Sequence, residues 1–157
     1  MGIEQQIHNA HLITDVYGYG PSFHDAEVLR VTLDRTVDDV EPWYEGRSAV
    51  WGPCLDALIY ISEMSQDTDS TGSFTFEKHR RVLLHFRGVT DLNLTGFNEP
   101  NALFELSIKE VPDPQPEDIR FEVGFSASYG LSASFQCYSI GVESVVPCEP
   151  MSGSIKA

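Results

Sequence analysis

Gly18-Tyr19-Gly20-Pro21-Ser22-Phe23-His24-Asp25-Ala26-Glu27-Val28 divides the chain. A helix-like opening precedes it, and strand patterns fill the rest of the sequence. Two glycines and a proline in four residues end any helix there, because glycine tolerates φ > 0 and proline disfavours the helical region for the residue before it. Ser22 and Asp25 are of the types that hydrogen-bond nearby backbone amides and hold a compact turn. Phe23, the only large apolar residue between Tyr19 and Val28, is expected to anchor that turn to the core. His24-Asp25 sets a base beside a carboxylate. Neighbours on a strand point to opposite faces, so adjacency alone does not make them a catalytic pair.

Upstream, Ile3 to Val16 carries apolar residues at i, i+4 and i+7, which predicts a helix. Downstream, Ala26 to Arg35 alternates, with Leu29, Val31 and Leu33 expected on one face and Val28 on the other. Leu55 to Met64 is apolar on both faces, as a central strand would be, and the N-terminal helix is the expected cover. Residues 65–73 read as a polar loop. Phe74 and Phe76 suggest a short strand, and Val82, Leu84 and Phe86 a longer one, with the basic cluster Lys78-His79-Arg80-Arg81 at a hairpin or edge between them. Leu92 and Leu94 keep the parity of Leu84 and Phe86, so 82–96 reads as one kinked strand. The next strand is expected to bury Phe104, Leu106 and Ile108. After a proline-rich connector at Pro112, Pro114 and Pro116 come two more strands, one burying Ile119, Phe121, Val123 and Phe125, the other Leu131, Ala133 and Phe135. The parity then switches to Tyr138, Ile140 and Val142, which implies a bulge near Cys137. The fold class is α+β: a mostly antiparallel sheet of six to eight strands with one N-terminal helix packed on it. Residues 1–157 form one domain, with a loose tail after about 147.

The chain has 157 residues, long enough to bury a core without staples. No apolar run approaches the roughly 20 residues that span a bilayer, and Met1 to Thr14 lacks the basic and apolar regions of a signal peptide. A cytoplasmic protein is expected. Cys54, Cys137 and Cys148 fit no metal-binding spacing and read as reduced thiols, with a Cys137–Cys148 bridge as the alternative. Ten Lys and Arg against 24 Asp and Glu give 10 − 24 = −14. Such a chain repels nucleic acid and anionic membranes and attracts a basic partner.

Most enzyme signatures are missing, among them the Gly-x-Ser-x-Gly elbow, a phosphate-binding glycine loop and His-Glu-x-x-His. No metal or other cofactor is expected. The best enzymatic case takes His24 as a base oriented by Asp25 or Glu27, with His85 or His79 brought in from another strand. The alternative function is thus a small-molecule or metal-binding β-rich domain, or a weak hydrolase, built around His24, Asp25 and Glu27. A binding surface has other candidates. Asp38, Asp39, Glu41 and Glu45 surround Trp43 and Tyr44, and aromatics among carboxylates on a loop are what a protein-binding surface shows. Asp67 and Asp69 stand in the second acidic loop, whose likeness to a calcium loop stops short of the closing Glu.

The segment Tyr17 to Val28 resembles the opening of the immunity protein 50 family of bacterial polymorphic toxin systems, which reads approximately Gly-Tyr-Trp-Pro-Ser-Phe-His-Asp-Ala-Glu-Val. Leu84-His85-Phe86-Arg87-Gly88-Val89, then Leu92-Asn93-Leu94, Gly96-Phe97-Asn98 and Leu103-Phe104, is similar to a second block of that family. Together they cover about 17–104. Gly20 stands where the family pattern has Trp. The resemblance implies a small cytoplasmic protein that binds and neutralises a cognate toxin without catalysis of its own. Tyr19, Pro21, Ser22, Phe23, His24, Asp25, Ala26 and Glu27 would then be structural, and the acidic loops would carry toxin binding. Charge adds that the toxin could be a basic nuclease. The oligomeric state is left open.

Overall fold

The computed structural model describes residues 6–21, 23–36, 53–112 and 120–151. In chain order they form α1 (His11–Tyr17), β1 (Glu27–Asp34), β2 (Cys54–Thr68), β3 (Phe74–Arg87), β4 (Thr90–Thr95), β5 (Ala102–Glu110), β6 (Phe121–Tyr129), β7 (Ser132–Cys137) and β8 (Ser139–Pro147). The strands make one antiparallel sheet in the order β4-β7-β6-β5-β1-β2-β3-β8. The α+β class, one helix among the described residues and the antiparallel sheet are as the sequence implies.

The order hides a simple plan. Only Gly88 and Val89 separate β3 from β4, and only Tyr138 separates β7 from β8. β3 pairs with β8 and β4 with β7. One long two-stranded ribbon therefore bends at this corner, where the Tyr138 amide donates to the Arg87 carbonyl at 2.8 Å. Gly88, at φ 69, supplies the bend. This is the form the kinked strand over 82–96 takes, and it places the parity switch at Tyr138. The bend rolls the sheet so that its halves face each other. Phe86 of β3 meets Phe135 of β7 at 5.0 Å and Phe125 of β6 at 6.2 Å, both edge to face. These rings join Val28, Ala57, Ile59, Leu84, Leu103, Val123 and Ile140 in one buried core. α1 adds Ile13 and Tyr17, four residues apart on its inner face.

Several expectations are corrected. The helix is shorter than Ile3–Val16. Asn9 takes φ 61, and His8 bridges to β8 instead, its amide donating to the Ile140 carbonyl and its carbonyl accepting from Val142. Gly18, at φ 81, ends the helix with its amide on the Thr14 carbonyl. α1 packs on β8 and β3, not over β2. In β1, a bulge between Val28 and Arg30 resets the parity, so Val28 is buried on the same face as Val31, opposite Ile59 and Ala57; Leu33, opposite Leu55, is exposed near the end of the strand. In β5, the register shifts between Leu103 and Glu105 do the same: Leu103 goes into the core and Phe104 stands 56% exposed. Residues 65–68 continue β2 rather than opening a loop, and the basic cluster lies inside one continuous β3. Cys54, Cys137 and Cys148 are free thiols, and burial pushes the Cys137 thiol well above its usual range. Of the tail after about 147, the Cys148 amide donates to the His79 carbonyl and the Met151 amide to Tyr60 Oη, and residues 152–157 lie outside the described residues.

Candidate functional site

β2 and β3 outrun their neighbours. β1 accompanies β2 only as far as Tyr60, and β8 accompanies β3 only from Arg80 onward. Among the described residues, no other strand pairs with the hairpin beyond them, where Glu63 lies opposite Glu77 and Met64 opposite Phe76. It is an arm that leaves the sheet. Met64 is 57% and Phe76 56% exposed, an apolar cross-strand pair turned to solvent. Around that pair stand Glu63, Asp67, Asp69 and Glu77, and from Ser62 to Glu77 there is no Lys or Arg.

The tip is built by Asp69. Its Oδ1 accepts from the Thr71 amide at 2.8 Å, Thr71 Oγ1 at 2.6 Å and the Ser73 amide at 3.0 Å. The hydroxyl and amides together hold this carboxyl below its ordinary pKa. Gly72, at φ 85, closes the turn. Asp67 is exposed, with its amide on Ser65 Oγ.

The root is clamped from three sides. Tyr17 Oη donates to the Lys78 carbonyl at 2.6 Å. Tyr60 Oη accepts from the Met151 amide and lies 2.6 Å from His79 Nδ1. With the tyrosine proton directed at Nδ1, Nε2 carries the ring proton and donates to the Phe76 carbonyl at 3.2 Å. Lys78 Nζ pairs with Glu63 at 3.0 Å. The basic cluster is thus the anchor of an acidic arm.

The His24-Asp25 stretch is built differently. Phe23 (φ 65) and Asp25 (φ 66) both take left-handed backbone, which turns the chain sharply into β1. Phe23 packs against the core. Tyr19 is exposed, Pro21 half-buried and Ala26 buried. His24 Nδ1 lies 3.2 Å from Asp25 Oδ1, with both side chains exposed, and its ring leans on Phe104 at 5.4 Å. Glu27 is buried, and its Oε2 accepts from the Asn101 amide at 3.4 Å. Asn101 in turn receives the amides of Asn98 and Leu131 on Oδ1 and donates Nδ2 to the Val28 carbonyl.

A third cluster lies on the far face of β2 and β3. His85 Nδ1 hydrogen-bonds Asp56, directly opposite it in the ladder, and Arg87 Nη1 stands 2.9 Å from Nε2. Burial works against a proton on this ring, but Asp56 and the nearby Cys54 thiol outweigh it and push the pKa up to about 10. A folded-state pKa above the unfolded value of about 6.5 stabilises the fold fully below that pH. That stabilisation is lost as pH rises from about 6.5 through 10. Urea titrations at pH 6, 8 and 10 should show the decline, and His85→Gln should flatten it.

His24, His79 and His85 are therefore held by Asp25, Tyr60 and Asp56 respectively. Of the group His24, Asp25 and Glu27, the structure sets His24 beside Asp25 at 3.2 Å, while Glu27 turns to Asn101 and the His24 ring leans on Phe104. Among the described residues, no three His, Cys, Asp or Glu side chains are placed to hold a metal ion. No helix among them is long and apolar enough to cross a membrane. Of the acidic candidates, Asp67 and Asp69 lie on the arm, while Asp38, Asp39, Glu41, Trp43, Tyr44 and Glu45 fall outside the described residues, as do Ser22 and Ile119. Sequence reasoning missed Met64 and Phe76, since a polar loop at 65–73 hides their pairing. A hairpin centred on Ser70 would have put them opposite each other.

A sequence model of the family described as immunity protein 50 matches residues 9–148. No curated protein and no solved structure matches the chain. The match spans α1, the Phe23–Glu27 turn and all eight strands. The chain belongs to the immunity protein 50 family.

Proposed function

We propose that this protein neutralises a cognate toxin by seating the β2–β3 arm and its neighbouring acidic loops on a basic toxin surface. Membership of the family implies an immunity protein that binds a cognate toxin. The observation that carries the finer reading is the arm itself, with Met64 and Phe76 exposed among four acids. A desolvated apolar centre with a charged rim is how interfaces concentrate binding energy. The net charge of −14 steers a basic partner inward. Nucleases are basic because their substrate is anionic, so a nuclease fits this surface. The stretch Asp38, Asp39, Glu41, Trp43, Tyr44 and Glu45 is proposed as the second contact. On this reading the protein acts in the cytoplasm, by binding alone, with no catalytic residue.

The test is a pair of variants titrated against an inactive form of the cognate toxin domain, sought in the neighbouring reading frame. Met64→Ala with Phe76→Ala should weaken binding about 100-fold, since two central apolar anchors contribute about 1–2 kcal/mol each. Both side chains are exposed, so the melting temperature should barely move. Unchanged affinity in the double variant would remove the arm from the interface. Unchanged affinity after alanine at Asp39, Glu41 and Trp43 together would remove the other loop.

A further inference from the structure

A cleft of about 380 Å³ opens between α1 and β5. Its floor is apolar: Leu84, Ile140 and Val142 from the inner faces of β3 and β8. One wall is Ala10, Ile13 and Thr14 of the helical segment, with Pro21 and Phe23. The other wall is Glu105, Leu106, Ser107, Ile108 and Lys109. Side chains alternate faces along a strand, so five consecutive residues line a cleft only if the strand turns its edge to it.

That edge is open. β6 takes one side of β5 along its whole length. On the other side the ladder starts well: the Val28 amide donates to the Asn101 carbonyl, the Leu103 amide to the Ala26 carbonyl and the Asp25 amide to the Leu103 carbonyl. It then stops. The left-handed turns at Phe23 and Asp25 steer the chain away. Among the described residues, no backbone hydrogen bond reaches this side of β5 beyond Leu103. A row of unpaired amides and carbonyls is satisfied by another extended main chain. The recess matters too, because helix and turn shield the edge from open sheet-to-sheet stacking while leaving room for one strand.

We propose that this cleft takes an extended, basic peptide segment of a partner protein, added as a strand to β5. The segment continues the ladder that residues 25–26 begin. Alternate side chains drop onto Leu84, Leu106 and Ile140, so the segment is apolar at every second position. Its other side chains meet the rim, which carries Glu105 and Lys109, and the net charge of −14 on the whole chain favours Lys or Arg there. This proposal does not depend on the arm, which contributes nothing to the cleft.

The test is selection from a phage-displayed library of random ten-residue peptides on the full chain. Thr14→Trp, which fills the cleft from the helix wall, serves as the counter-selection. Circular dichroism and melting are used to check that this variant is folded. The proposal expects selected peptides to alternate apolar residues with Lys or Arg. A synthetic copy should slow amide exchange of residues 105–109 at least tenfold, and should lose at least tenfold in affinity when alternate amides are N-methylated. Binders that ignore Thr14→Trp, or that tolerate N-methylation, would overturn it. So would protection of β5 that grows with protein concentration alone, which would give the edge to a second copy of this chain. Ala10→Phe, a second cleft-filling change, decides the matter if Thr14→Trp does not fold.

Discussion

Asn101→Ala should lower the unfolding free energy by about 3 kcal/mol, a large share of the stability of a domain this size. Asn101 is 3% exposed and joins three segments. Its Oδ1 receives the Asn98 amide at 2.7 Å and the Leu131 amide at 3.2 Å, and its Nδ2 reaches the Val28 carbonyl at 3.2 Å. Removing the side chain leaves two amides and a carbonyl without partners, and an unsatisfied buried group costs about 1–3 kcal/mol. The surroundings leave no room to relax. A Cβ on Gly130 would come within 2.5 Å of the Pro100 carbonyl, and one on Gly96 would come equally close to the Gly130 carbonyl. Urea denaturation of the purified variant measures the loss. A change under about 1 kcal/mol would mean that Asn101 does not fasten the Glu27 turn to β5 and β7.

Phe86→Ala should cost about 4 kcal/mol. Phe86 is fully buried, and its ring is the hinge pin between the two halves of the rolled sheet. It touches Phe135 at 5.0 Å and Phe125 at 6.2 Å, residues on strands that β3 never pairs with. The loss combines burial, a cavity at the bend of the ribbon and two edge-to-face ring contacts. Thermal and urea unfolding read it directly. A cost within about 1.5 kcal/mol would show that the halves do not depend on this contact.

Much of this fold is legible in alternation, because a buried face imposes a period of two. The start of β6 and the segment around β7 carry that pattern, with Phe121, Val123 and Phe125, then Leu131, Ala133 and Phe135 buried as expected, and in β2 the buried Leu55, Ala57 and Ile59 share one face. The pattern misleads where a bulge adds a residue. Val28 and Phe104 both sit beside register shifts, and each lies on the opposite face from the one the count assigns. No propensity marks such a site in advance. The helix is overdrawn in sequence because Ile3, Ile7 and Ala10 match a helical period, while His8 finds a stronger use on the edge of β8. The site is less legible. Acidity points to Asp67 and Asp69, but the arm exists because two strands outlast their neighbours. That is a property of β1 and β8 as much as of the arm. The His24-Asp25 pair looks chemical from its residue types, and in three dimensions it belongs to a strained turn braced by Glu27 and Asn101.

The central claim is that this acidic protein works by binding a basic toxin. The direct measurement is calorimetric titration of the full chain into an inactive variant of its cognate toxin domain, sought in the neighbouring reading frame, at low and moderate salt. The account predicts a one-to-one complex in the nanomolar range or tighter, weakening as salt rises, because the charge of −14 contributes at long range. No binding at either salt concentration, or binding that is indifferent to salt, would contradict it.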